Sequence, residues 1–329
     1  MLILCKNMGI NLSIGITMIK NNSLNYLKAS SWFVMSILCG FFNDYIVKYI
    51  SVSDFIDVSI FQMNFLRFFF SAIILLPFFI LKRYKKSKSN SNNAKISLDN
   101  SKNWFKKYRI LEHSIRSVLL FIPMILWTYG IAKGSLVFST FMEFSIPLFV
   151  LIIARISLKE SLKGRFSSTL IGIFGILIVA KQYVNLISLP IVLCIASAAF
   201  LFALSDVINK YLLNDDEEII NLLFFTSVGV SIISFPFAFK LWQCIAFNQL
   251  FLYILQGLLG NCLFLFILKS YKLADVASLQ PLRFLSLPIS MFLSSRLGDA
   301  LCFKSIFIGM ILLIISLIYS MFYEICINK

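Results

Sequence analysis

The chain has 329 residues, of which 59% are hydrophobic and only 14% charged, with a mean hydropathy of +0.88. Soluble domains carry about 25% charged residues, so this chain has too few polar side chains to cover a water-facing surface, and its hydrophobicity also excludes disorder. The excess of 30 Lys and Arg over 15 Asp and Glu, a formal +15, fits nucleic-acid binding or the cytoplasmic loops of a membrane protein until it is mapped along the chain.

A hydrocarbon core about 30 Å thick takes about 20 helical residues. Residues 1–30 place Lys6, Lys20 and Lys28 around the short apolar stretch Leu12 to Ile19. They read as a cytoplasmic extension lying on the membrane surface rather than as a signal peptide. Five spanning runs follow at 31–50, 59–81, 115–133, 136–156 and 167–184. Five more lie at 189–212, 219–239, 246–268, 276–295 and 303–323, and 324–329 forms a short tail. Continuous apolar runs without strand-like alternation favour helices. The expected fold is therefore all-α and integral to the membrane, with five helices in 31–184 and five in 185–323.

Between the second and third spans lies a polar segment, 82–114, with a Ser/Asn/Lys-rich core at Ser87 to Asn93. It reads as a loop attracted to anionic headgroups. Trp104, Phe105 and Tyr108 are too thin an aromatic interleaving for nucleic-acid binding, so none is expected. Counting along the spans puts 22 Lys and Arg on the side of both termini and six on the other, with Arg67 and Arg283 inside spans. That asymmetry places both termini in the cytoplasm. The seven cysteines show neither a CxxC nor a metal-ligand spacing, and the lone His113 reads as an interfacial residue, so no metal site or cofactor is expected.

The two halves echo each other. Asn43-Asp44-Tyr45-Ile46-Val47-Lys48-Tyr49 in the first span returns as Ser205-Asp206-Val207-Ile208-Asn209-Lys210-Tyr211 in the sixth, with Asp, Lys and Tyr all 162 residues apart. Pro77 and Pro236 match at 159 residues, and Pro147 and Pro288 at 141. Five spans per half is an odd number, so the second half would cross the membrane in the opposite sense. Such inverted repeats characterise many secondary transporters, whose site lies between the halves. No Gx4GK[ST] phosphate loop is present, so nucleotide hydrolysis is not expected to drive it, and no catalytic cluster suggests an enzyme.

A charged side chain at the centre of a span costs roughly 2.5–3.5 kcal/mol on insertion scales, so such residues usually face a cavity or a partner. Here the polar set comprises Asn43, Asp44, Arg67, Glu143, Asp206, Asn209, Asn261, Gln280 and Arg283. Asp44 and Lys48 stand one helical turn apart, as do Asp206 and Lys210. Each pair reads either as an intrahelical ion pair or as a gate on its own side of the membrane. Glu143 and Arg283 lie four and five residues before the matched prolines. They either pair across the pseudo-twofold axis or divide a substrate's cation and carboxylate between them. Trp127-Thr128-Tyr129 reads either as an aromatic belt or as a platform for a flat ring with Trp127 or Tyr129. Asn261 and Gln280 complete the candidate binding set.

These features, with TYGIAKGSLVFSTFMEFSIPLFVLI across the third and fourth spans, resemble EamA-type members of the drug/metabolite transporter superfamily. More narrowly, NDYIVKY, FLRFFFSAIILLPF, WTYGIA, SDVINKY and GNCLFLFILKSY resemble the S-adenosylmethionine uptake transporters of obligate intracellular bacteria. The resemblance implies an inner-membrane carrier of S-adenosylmethionine, with exchange for S-adenosylhomocysteine. Glu143 or an Asp would face the cations, Arg283 the carboxylate, and Trp127 or Tyr129 the adenine. An amino acid or another small metabolite is the alternative substrate, since one scaffold serves many functions. The extension at 1–30, the insert at 82–108 and Glu143 depart from the family pattern.

Overall fold

The structure, a computed structural model, describes residues 12–52, 59–91, 110–134, 136–159, 165–180, 188–214, 218–245, 247–286 and isolated positions from 289 to 323. Its elements are helical throughout: α1 (Leu12–Val52), α2 (Ile60–Ser91), α3 (Ile110–Lys133), α4 (Leu136–Glu143), α5 (Ile146–Ser157) and α6 (Arg165–Ala180), then α7 (Leu189–Asn214), α8 (Ile219–Lys240), α9 (Phe247–Leu273), α10 (Val276–Leu279) and a 3₁₀ segment, Gln280–Leu285. Six of them, α1, α2, α3, α7, α8 and α9, are long and apolar enough to cross a membrane. The extension expected before residue 31 is, from Leu12 on, continuous with α1, and the start of the polar segment continues α2 to Ser91. Most of the tenth span, residues 1–11 and 92–109, and Cys5, Cys302 and Cys326 lie outside the described residues.

Two of the expected spans are not single α-helices. The run at 136–156 breaks at Phe144-Ser145, between α4 and α5. A proline ring clashes with the carbonyl four residues earlier. For Pro147 that is the carbonyl of Glu143, where α4 stops. In the run from 276, a single turn of α-helix gives way to the 3₁₀ segment, with Pro281 among its first residues. Irregular backbone at membrane depth is tolerated only where protein buries it or a cavity hydrates it. Both breaks are therefore reasons to look for a cavity between them.

The long helices pack as pairs: α1 on α9, α2 on α8 and α3 on α7, with α2 also against α9, α3 against α8 and α5 against α7. In lipid there is little hydrophobic drive for helices to associate, so close backbone approach and interhelical hydrogen bonds matter more. Gly257 of α9 supplies such an approach, since a Cβ there would lie 2.8 Å from the backbone nitrogen of Ser71 on α2. Beside it Asn261 Nδ2 donates to the Ser71 carbonyl at 3.0 Å, while Ser71 Oγ donates to Asn261 Oδ1 at 2.5 Å and lies 2.8 Å from Ser227 Oγ. A second tie has Arg116 of α3 donating to Asn209 Oδ1 at 2.6 Å, the Leu222 carbonyl at 2.6 Å and Thr226 Oγ1 at 2.5 Å. One apolar cluster fills the space between these helices with Phe41, Trp127, Ile131, Phe144, Ile195 and Phe284, so the broken segments are held by the same core as α1, α3 and α7.

Candidate functional site

A cavity opens between α1, α2, α3, the two broken segments, α7 and α9. It has about 880 Å³ of empty space, including its open mouth. Its charged lining is Asp44, Arg67, Glu143, Asp206 and Arg283, and its aromatic walls include Phe33, Phe41, Trp127, Phe202 and Phe264. Three carboxylates against two guanidinium groups leave a formal charge of −1. Ligand pockets of this kind combine apolar walls with a few convergent polar groups.

The backbone breaks put the central charges in place. Glu143 is the last residue of α4, and Arg283 sits on the 3₁₀ segment. Arg283 Nη1 donates to Glu143 Oε1 at 3.2 Å, Nη2 to Asp206 Oδ2 at 2.7 Å, and Nε to Gln280 Oε1 at 2.8 Å. The Arg283 guanidinium also lies 5.5 Å from the centroid of the Phe33 ring. All three nitrogens of this side chain are thus engaged by protein, two of them by acids from other helices. The Tyr271 hydroxyl lies beside the Asp206 carboxylate. Also in the lining, Asp44 Oδ2 accepts a 3.1 Å hydrogen bond from the Trp127 indole, whose ring packs edge-on against Phe202.

Of the residues singled out from sequence, Asp44, Trp127, Glu143, Asp206 and Arg283 come together in this cavity. Gln280 stands behind it, supporting Arg283 and donating to the Val276 carbonyl at 3.3 Å. Tyr129 is not among the lining residues, and Asn261 belongs to the interhelical tie with Ser71. Each motif lysine reaches the end of another helix. Lys48 Nζ donates to the Gly134 carbonyl at 2.6 Å, just past α3, and Lys210 Nζ donates to the Tyr271 and Ala274 carbonyls at 2.5 and 3.0 Å, at the end of α9. A cation suits the unsatisfied carbonyls of a helix C-terminus. His113, in the first turns of α3, is buried and stacks on Phe225 at 4.8 Å.

Sequence reasoning left out of the binding set Arg67 and the wall phenylalanines. Arg67 had a signal, an arginine inside an apolar run. Phe33 and Phe202 had none, because most of the chain's 35 phenylalanines share the same apolar runs. Cys39, Cys194, Cys244 and Cys262 are free thiols, and among the described residues no cluster of three or more His, Cys, Asp or Glu is placed to hold a metal.

Residues 31–181 match the EamA-like transporter family. Over 300 residues the chain is 30% identical to the S-adenosylmethionine uptake transporter of Rickettsia conorii, covering 91% of this chain and 94% of that protein. The protein of the same name from Rickettsia prowazekii is 29% identical over the same shares. A solved crystal structure, 12% identical, superposes with a TM-score of 0.61 over 92% of this chain and 96% of that one, a likeness of fold alone. The chain belongs to the EamA-like transporter family.

Proposed function

We propose that this protein is an inner-membrane carrier that takes up S-adenosylmethionine by alternating access, in exchange for S-adenosylhomocysteine. The observation that carries this reading is the Glu143–Arg283–Asp206 network in an aromatic-walled cavity between discontinuous helices. S-adenosylmethionine brings a sulfonium, an ammonium, a carboxylate and a flat adenine. Its cations compete with Arg283 for Glu143 and Asp206, and the released network then repacks as the cavity changes sides. Trp127 and the phenylalanine walls offer faces for the ring and the sulfonium. Asp44 adds a third acid beside Trp127. The relatives from Rickettsia carry the same substrate in their names.

Alternating access rests on two five-span halves of opposite orientation, and the packing supports that division. Exchanging α1 with α7, α2 with α8 and α3 with α9 turns the α1–α9 contact into α7–α3 and the α2–α9 contact into α8–α3, both of which are present. Lys48 and Lys210, at matched positions of the repeat, bond the ends of the matched helices α3 and α9. The excess of basic residues in the inside segments supports cytoplasmic termini.

Uptake of labelled S-adenosylmethionine by cells producing the protein tests the reading, with unlabelled S-adenosylhomocysteine, methionine and adenosine as competitors. Saturable uptake blocked by S-adenosylhomocysteine is expected, and Arg283→Ala should abolish it when uptake is normalised to the amount of protein in the membrane. Uptake equal to an empty-vector control would overturn the substrate, and full activity in Arg283→Ala would remove the network from the transport cycle.

A further inference from the structure

The two arginines of the cavity differ in what they hold. Arg283 is saturated by two acids and an amide. Arg67, on α2, is only 5% exposed, yet among the described residues it makes no ion pair. Its Nη1 donates to the thioether of Met124 at 3.5 Å, a weak acceptor. Its Cζ lies 5.4 Å from the Phe68 ring centroid, and its buried Nε finds no hydrogen-bond partner. Gly260 faces that same edge, since a Cβ there would stand 3.4 Å from Nε and 3.5 Å from Nη2. Asp44 is close enough to be felt electrostatically, but it makes no ion pair with Arg67 within 4 Å, and its Oδ2 accepts from Trp127.

A guanidinium removed from water without a counter-ion is costly, and it stays charged at neutral pH. A charged residue inside a span marks a functional site, and an anion would complete this one. The planar fork of Arg matches a carboxylate with two parallel hydrogen bonds. The cavity therefore has a polarity: Glu143 and Asp206 paired with Arg283, and an arginine with spare donors beside Met124 and Gly260.

We propose that Arg67 is the anchor for the substrate's carboxylate, orienting a zwitterionic amino-acid moiety with its cationic groups toward Asp44, Glu143 and Asp206. This rests on the carrier reading above and deepens it, moving the carboxylate from Arg283 to Arg67. Arg67 then sets specificity: ligands lacking a carboxylate leave its donors orphaned, and a site built to pair a buried group discriminates against the analogue that cannot.

The test uses ligand pairs differing only in the carboxylate, S-adenosylmethionine with its decarboxylated form and methionine with 3-(methylthio)propylamine. Affinities are read from thermal stabilisation of the purified full-length protein in detergent. The wild type should bind the acid of a recognised pair about 10- to 100-fold tighter, the range of a hydrogen bond to a charged group. Arg67→Gln should loosen the acid alone and erase that preference. Arg67→Lys, which keeps the charge without the fork, should retain a reduced part of it, and it carries the test should Arg67→Gln fail to give folded protein. An unchanged preference in either variant, or no preference in the wild type for any pair, overturns the assignment. A silent S-adenosyl pair beside an Arg67-dependent preference for methionine overturns the substrate instead and leaves Arg67 standing.

Discussion

Arg283 holds two acids at once, and that arrangement makes a quantitative demand. At an effective dielectric of about 20, the gross attraction is about 6 kcal/mol to Asp206 at 2.7 Å and about 5 kcal/mol to Glu143 at 3.2 Å. Desolvation offsets most of this. Removing one member of a lone buried pair costs about 3–5 kcal/mol, because the other charge is stranded. Here either acid alone still neutralises Arg283, so Asp206→Asn and Glu143→Gln should each cost only about 1 kcal/mol, the scale of one hydrogen bond. The double variant leaves the guanidinium with neutral amide partners and no counter-ion and should cost about 3–5 kcal/mol, well beyond the sum. Adding Arg283→Met to the double variant should return much of the loss, since an apolar replacement for a buried charge is often neutral or stabilising. Thermal unfolding of the purified proteins in detergent reads all four. Additivity within about 0.5 kcal/mol, or a triple variant no more stable than the double, would refute the argument that the two acids share one cation.

Two further outcomes follow from local packing. At Gly172 of α6, a Cβ would overlap the ring of Phe284 on the segment that carries Arg283. Gly172→Ala should therefore cost about 1–3 kcal/mol in unfolding measurements and lower uptake, and Phe284→Leu in the same chain should restore both. Lys48→Met and Lys210→Met should each lose about 1.5–3 kcal/mol, the contribution of a hydrogen bond from a charged donor, and the two losses should add because their carbonyl partners lie on different helices. A double variant that departs from the sum would show that the two caps are coupled.

The helices were legible because the apolar runs are long and nearly free of charge, and composition sets spans more reliably than their ends. Pro147 carried the signal for the break after Glu143, but a proline inside a spanning run is compatible with a helix that continues, as at Pro77 and Pro236, or with a stop. Only the packing of Phe144 in the core distinguishes them. The opposite charges and matched places of Glu143 and Arg283 pointed toward each other. The inclusion of Asp206 depends on how α7 lies against the 3₁₀ segment, which no local pattern encodes. The lysine partners were hidden for a different reason: they are backbone carbonyls, and any residue type supplies one.

The central claim, that this cavity carries S-adenosylmethionine across the membrane, is tested most directly by counterflow in proteoliposomes. Vesicles holding only the purified protein are loaded with unlabelled S-adenosylmethionine and diluted into a trace of the labelled compound. The account predicts a transient accumulation of label above the outside concentration, equal in size when S-adenosylhomocysteine is loaded instead and absent in Arg283→Ala. Label that equilibrates no faster than in protein-free vesicles would contradict it.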